Sequence, residues 1–111
     1  MRELAIGNKT IRVKATPLAL LFYKQEFKTD LVGDLLKMQE LEHDPSKFDS
    51  VVVLQIIWAM AKADAGISNK FPSFLAWVAD LDSFDMSDSE ILQAVMEEAV
   101  DGFFRRGKSR Q

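Results

Sequence analysis

The chain has no cysteine, which excludes a disulfide framework, thiolate zinc sites and a thiol nucleophile. Its one histidine is His43, so no His-pair metal site exists. As a general base His43 would need an oriented partner, and a polar linker supplies none. The five glycines are scattered, and no glycine-rich phosphate loop is formed. No apolar run approaches the ~20 residues that span a bilayer. The opening MRELAIGNK lacks an apolar stretch of roughly 7–15 residues behind a charged start, so no signal peptide is expected. Lys and Arg are missing altogether from residues 71–104. The expected protein is soluble and cytoplasmic, with no enzyme activity, cofactor or metal, and no membrane partner.

The acids left in that basic-free stretch invite one test. Asp80, Asp82, Asp85 and Asp88 suggest a calcium loop, which needs oxygen ligands at its third and fifth positions, Gly at the sixth and Glu at the twelfth. Counting from Asp80, Asp82 fits, but Phe84, Asp85 and Ile91 stand at the other three positions. The motif fails. Carboxylates can also be paired along the last helix, but on a solvated face they signify little.

What is present is apolar. At 111 residues and 48% hydrophobic composition, one core is within reach without a metal or disulfide staple. Residues 1–106 are expected to form a single domain, followed by a flexible basic tail, 107–111. The domain is organised around VVVLQIIWAMAKADA, Val51 to Ala65, in which Gln55 is the only polar residue before Lys62. A helix apolar on nearly all sides is one surrounded by other elements. Its β-branched residues allow a buried strand, but its length and its Ala-rich end at Gly66 favour a helix.

Before it, ELAIGNKTIRVK alternates as a hairpin over residues 3–14: Leu4 and Ile6 precede the turn Gly7-Asn8, and Ile11 and Val13 follow it. Thr16-Pro17 opens a helix with Thr as N-cap and Pro at its first position. Thr29-Asp30 breaks it, and a second helix follows in which Leu31, Val32, Leu35, Leu36 and Met38 are apolar and Gly33 is a weak point. A polar linker, EHDPSK (42–47), is expected to be mobile. After the central helix, which Asp49 or Ser50 caps, Pro72-Ser73 opens a short aromatic helix across it. Ser87-Asp88-Ser89-Glu90 is a capping box. It starts a last helix striped by Ile91/Leu92, Val95/Met96, Ala99/Val100 and Phe103/Phe104. The fold class is α+β, mostly α: an N-terminal β-hairpin packed on a bundle of four to five helices.

Net charge is −3, but it is uneven: residues 1–16 carry Arg2, Lys9, Arg12 and Lys14 against Glu3, and the tail RRGKSRQ adds four positive charges. Complementary ends would favour head-to-tail contacts and a homo-oligomer; ordinary solvated faces are the plainer reading. Nucleic-acid binding asks for a broad basic face with interleaved aromatics. The tail is basic, but the folded part as a whole is acidic and lacks aromatics interleaved with Lys or Arg, which speaks against it. Met and aromatic residues near helix ends suit the capture of amphipathic helices. Phe71, Phe74, Trp77, Phe84, Met86, Phe103 and Phe104 are the candidate partner-binding residues.

Taken in order, ELAIGNKTIRVKAT, PLALLFYKQEF, VVVLQIIWAMAKAD, FPSFLAWVADLD and DMSDSEILQAVMEEAVDGFF resemble the tail assembly chaperones of long-tailed, siphovirus-like bacteriophages and prophages. The likeness covers nearly the whole chain. It rests on a pattern of residue types and lengths, with no invariant catalytic signature. It implies a non-enzymatic protein of the host cytoplasm that binds the tape measure protein, keeps it soluble and helps the tail tube protein polymerise around it. It also implies a minority longer product made by a translational frameshift. No site residue is carried over from the family.

Overall fold

The computed structural model describes residues 1–40, 49–67, 70–85 and 89–104. The linker 42–47, His43, Met86, the start of the capping box (Ser87 and Asp88) and the tail 107–111 lie outside the described residues. The order of elements is β1 (Arg2–Ile6), β2 (Lys9–Val13), α1 (Pro17–Phe27), α2 (Leu31–Glu40), α3 (Ser50–Ala65), α4 (Phe74–Ala79) and α5 (Ser89–Ala99). A π-helical turn, Val100–Phe104, continues α5. The architecture is α+β and mostly helical, as the sequence indicates.

β1 and β2 form an antiparallel hairpin in which Ile6 pairs with Lys9 across the turn and Leu4 with Ile11. Gly7 has φ +59°, whereas Asn8 stays at negative φ. Positive φ at the first turn residue alone is the II′ pattern, for which Gly is the natural choice. The alternation then does its work: Leu4, Ile6, Ile11 and Val13 are buried, while Glu3, Ala5, Thr10 and Arg12 are exposed.

α3 is the axis of the core. Asp49 caps it, its side chain accepting from the N–H groups of Val51 and Val52 at 2.9 and 3.4 Å. It ends at Gly66, whose φ of +90° suits a residue without Cβ. Ile56, Ile57, Trp58, Ala59 and Met60 along it are all buried. Helix α1 packs on one side of α3, and β2 and α4 also contact it. The Trp58 indole N–H donates to the Pro72 carbonyl at 3.1 Å, tying α3 to the entry of α4. The rings of Tyr23, Phe27, Trp58 and Phe74 meet in edge-to-face pairs with centroids 4.9 to 6.1 Å apart. Arrangements of this kind add to simple burial.

Local signals hold for the other helices, with one correction. Asp30 caps α2 by accepting the Gly33 N–H at 3.0 Å, and Ser73 caps α4 by accepting the Ala76 N–H at 3.2 Å. Thr16 stands at the N-cap of α1 in extended geometry, but its hydroxyl makes no cap bond. The entry is held by the backbone instead: the Ala19 N–H donates to the Thr16 carbonyl at 2.9 Å, and Pro17 brings its fixed φ. Of the apolar residues of α2, Leu31, Leu35 and Met38 are buried, whereas Leu36 is 45% exposed.

α5 lies against β1, burying Ile91, Val95 and Ala99. The expected stripe runs on to Phe104, but the helix widens into its π turn after Ala99. Gly102, in that turn, faces Ala15 so closely that a Cβ there would overlap the Ala15 carbonyl and methyl group. Among the described residues no helix is long and apolar enough to cross a membrane.

Candidate interaction surface

Opposite charges separated in sequence meet within the molecule. The Arg2 guanidinium faces Glu97 at 3.5 Å, Glu98 at 3.6 Å and Asp101 at 3.3 Å. Lys9 reaches Asp80 at 2.8 Å and Arg12 reaches Asp64 at 3.2 Å. The basic hairpin is thus laid against the acidic helices of its own chain. Within the chain, Arg2, Lys9 and Arg12 of the hairpin each face an acidic partner. The pairs to Glu97, Asp101 and Asp80 are exposed, and exposed pairs contribute little to stability, with a median of about 0–1 kcal/mol. Their effect is to set where the hairpin sits.

Glu98 departs from the solvated face expected of it. It is 7% exposed, and its Oε2 accepts the Ala15 backbone N–H at 3.0 Å and lies 3.4 Å from the Met1 amine. The bond stitches the link between β2 and α1 to the end of α5. Helical phase signals the burial: Glu98 falls seven residues after Ile91 and three after Val95, on the same stripe.

The Tyr23 side chain is fully buried. Its hydroxyl donates to Asp34 Oδ2 at 2.7 Å and lies 3.1 Å from Gln55 Oε1. Asp34 also accepts from the Thr29 hydroxyl at 3.0 Å. Burial, with the neighbouring Asp34 carboxylate, pushes the phenol well above its ordinary value. Gln55, the one polar residue in the apolar half of α3, is therefore a structural partner of α1. No group of three or more His, Cys, Asp or Glu side chains suited to a metal ion occurs among the described residues.

Of the seven candidate partner-binding residues, Trp77 is buried. Phe71, Phe74, Phe84, Phe103 and Phe104 are partly buried and pack against the core; Met86 lies outside the described residues. Phe71 and Phe74 meet around Trp58, and Trp77 stacks on Phe74, whereas Phe103 and Phe104 sit on the π turn. The large apolar side chains most open to solvent are others: Leu75 (79%), Ile67 (77%), Leu21, Val51 and Leu36. Leu75 is on the same short helix as Phe74 and Trp77, so α4 buries its aromatics and offers its leucine. Lys62 covers part of the aromatic cluster, its Nζ 4.5 Å from the Phe22 ring centroid and 5.1 Å from that of Trp58.

Among the described residues, one groove of about 440 Å³ lies at the open end of the hairpin beside Glu98 and Asp101, and two more flank its edges. One, of about 340 Å³, runs between β1 and α5 and is lined by Glu3, Leu4, Ala5, Glu90, Ile91 and Ala94. The other, of about 290 Å³, lies between β2 and the α3–α4 region, with Ile11, Phe71 and Trp77 in its wall and the Arg12–Asp64 pair beside them. Both are open, and neither brings together a nucleophile, a base and an anion-stabilising donor. Compared with family models, with curated proteins and with solved structures, the chain finds no match in any of the three.

Proposed function

We propose that the protein is a phage tail assembly chaperone that binds the tape measure protein, keeps it soluble in the host cytoplasm and assists tail tube polymerisation. The observation that carries this reading is the order of sequence segments: basic hairpin, aromatic first helix, apolar central helix, FPSFLAWVADLD, and a last helix ending Phe-Phe-Arg. The arrangement of side chains is compatible with it. A long amphipathic helix has an apolar face that is costly in water, and exposed leucines, isoleucine and valine on a small helical domain are a means of covering it. Several copies along one partner gain by multivalency. The role needs no enzyme chemistry. Tape measure protein is the principal partner, with tail tube protein and further copies of the chain as additional ones.

Co-expression with the very long helical protein that the reading expects to be encoded beside this gene tests it. The chaperone keeps that protein in the soluble fraction and co-purifies with it. Failure to do either, with no tail genes adjacent, overturns the assignment. A slippery heptanucleotide near the end of the gene marks the longer product. A structural tail component would be found in purified virions, where a chaperone is absent. A nucleic-acid-associated regulator would retard DNA in a steeply salt-dependent way that depends on residues 105–111.

A further inference from the structure

The two edges of the hairpin are not equivalent. A two-residue turn makes Ile6–Lys9 a hydrogen-bonded pair, and such pairs alternate along an antiparallel ladder. Even-numbered residues of β2 therefore turn their backbone outward, and odd-numbered residues of β1 do the same. Beside the outer edge of β2, the Asn8 N–H donates to Asp82 Oδ1 at 3.1 Å, and the Lys14 N–H donates to the Met60 carbonyl of α3 at 3.1 Å. That edge is tied down at both ends, although between them the outward backbone groups of Thr10 and Arg12 have no partner among the described residues either. On the outer edge of β1, no partner occurs among the described residues for the backbone groups of Glu3 and Ala5. They open instead onto the groove of about 340 Å³ walled by Leu4, Ile91 and Ala94.

We propose that the outer edge of β1 is a docking site for an extended, basic segment of a partner protein, which adds to the hairpin as a third strand. Strand addition draws affinity from main-chain hydrogen bonds and specificity from alternate side chains. Here the alternation is set. A guest residue beside Leu4 points inward, to the apolar wall of Ile91 and Ala94. Guest residues beside Glu3 and Ala5 point outward, where the exposed Glu3 favours Lys or Arg. No basic residue lines the groove. The other edge has no such bias, because Arg12 and Asp64 neutralise each other there. The guest is therefore an alternating segment with small or medium apolar residues between Lys or Arg. This site is separate from the exposed leucines invoked above and stands whether or not the chaperone reading holds.

The test uses the full chain and two peptides, acetyl-Lys-Val-Lys-Val-Lys-amide and its Glu-for-Lys twin, followed by amide chemical shifts. The basic peptide shifts and protects the amides of Glu3, Leu4 and Ala5; the acidic twin does not. Glu3→Lys, on the exposed face, weakens the basic peptide about tenfold and lets the acidic twin bind instead. Ala5→Pro removes one outward donor without breaking a ladder bond and weakens binding about fivefold. Equal binding of both peptides, shifts mapped to Trp77 instead of β1, or no shift at all would overturn the proposal. So would a dimer in sedimentation that Ala5→Pro dissociates, since the edge would then belong to a second copy.

Discussion

Glu98 accepts the backbone N–H of Ala15, 83 residues earlier in the chain, at 3.0 Å. The carboxylate is buried, and the bond joins the end of the last helix to the point where the hairpin becomes α1. Replacing Glu98 with Ala leaves a buried N–H without its acceptor and the Arg2 guanidinium without one of its charge partners. The expected loss is about 2 kcal/mol, read as a lower urea midpoint at unchanged slope. Glu98→Gln retains an acceptor and loses less.

Two glycines respond in opposite directions. At Gly102 an added methyl group collides with the Ala15 backbone, which has little freedom to give way. Gly102→Ala is expected to destabilise the fold by about 1–3 kcal/mol. At Gly33, inside α2, the same methyl group meets only Asp30 at ordinary contact distance, 3.5 Å. Gly33→Ala is expected to stabilise by about 0.5–1 kcal/mol through helix propensity and chain entropy. Thermal melts of both variants check the contrast.

Tyr23 is the only tyrosine, so phenolate absorbance reports on it alone. Its folded pKa is raised above the unfolded value of 10.0. The stability this represents is complete below about pH 10 and is lost as pH rises beyond that value, because the unfolded chain then gives up a proton that the folded chain keeps. Alkaline titration should show phenolate appearing together with unfolding. Tyr23→Phe removes the linkage and costs about 1–1.5 kcal/mol at neutral pH through the lost hydrogen bond.

Trp58 is 1% exposed and bonded to the Pro72 carbonyl. Trp58→Phe removes that donor and leaves space beside the aromatic cluster, for an expected loss of about 2–3 kcal/mol. Denaturation followed by circular dichroism measures it.

Leu75 and Phe74 separate binding from folding on one helix. Leu75→Ser, at a side chain 79% exposed, should leave stability within about 0.5 kcal/mol. Under the chaperone reading it weakens retention of the tape measure protein in a pull-down. Phe74→Ser breaks ring contacts with Phe27, Trp58 and Trp77 and should lower the melting temperature.

Where a single residue type and its immediate neighbours decide the geometry, the sequence was readable. Gly7 set the hairpin turn, and Asp30, Asp49 and Ser73 set helix starts. The unbroken apolar run of α3 marked it as the core helix before any contact was known. What escaped was decided over distance. Ala15 gives no sign that its N–H will need a carboxylate from the far end of the chain, although the phase of Glu98 within α5 was a clue. Leu75 and Phe74 are neighbours of similar hydrophobicity, and only the placement of α4 on α3 determines which one faces water. The π turn has no local signature beyond Gly102, whose lack of a side chain permits the approach to Ala15.

The tethering of one hairpin edge bears on assembly. A sheet with two open edges can stack without end, each added strand exposing a fresh template, which is the route to fibres. A hairpin whose second edge is tied to the rest of the fold at both ends, by Asp82 and Met60, meets hindrance to strand addition on that side. Growth by that route is disfavoured once a strand joins β1.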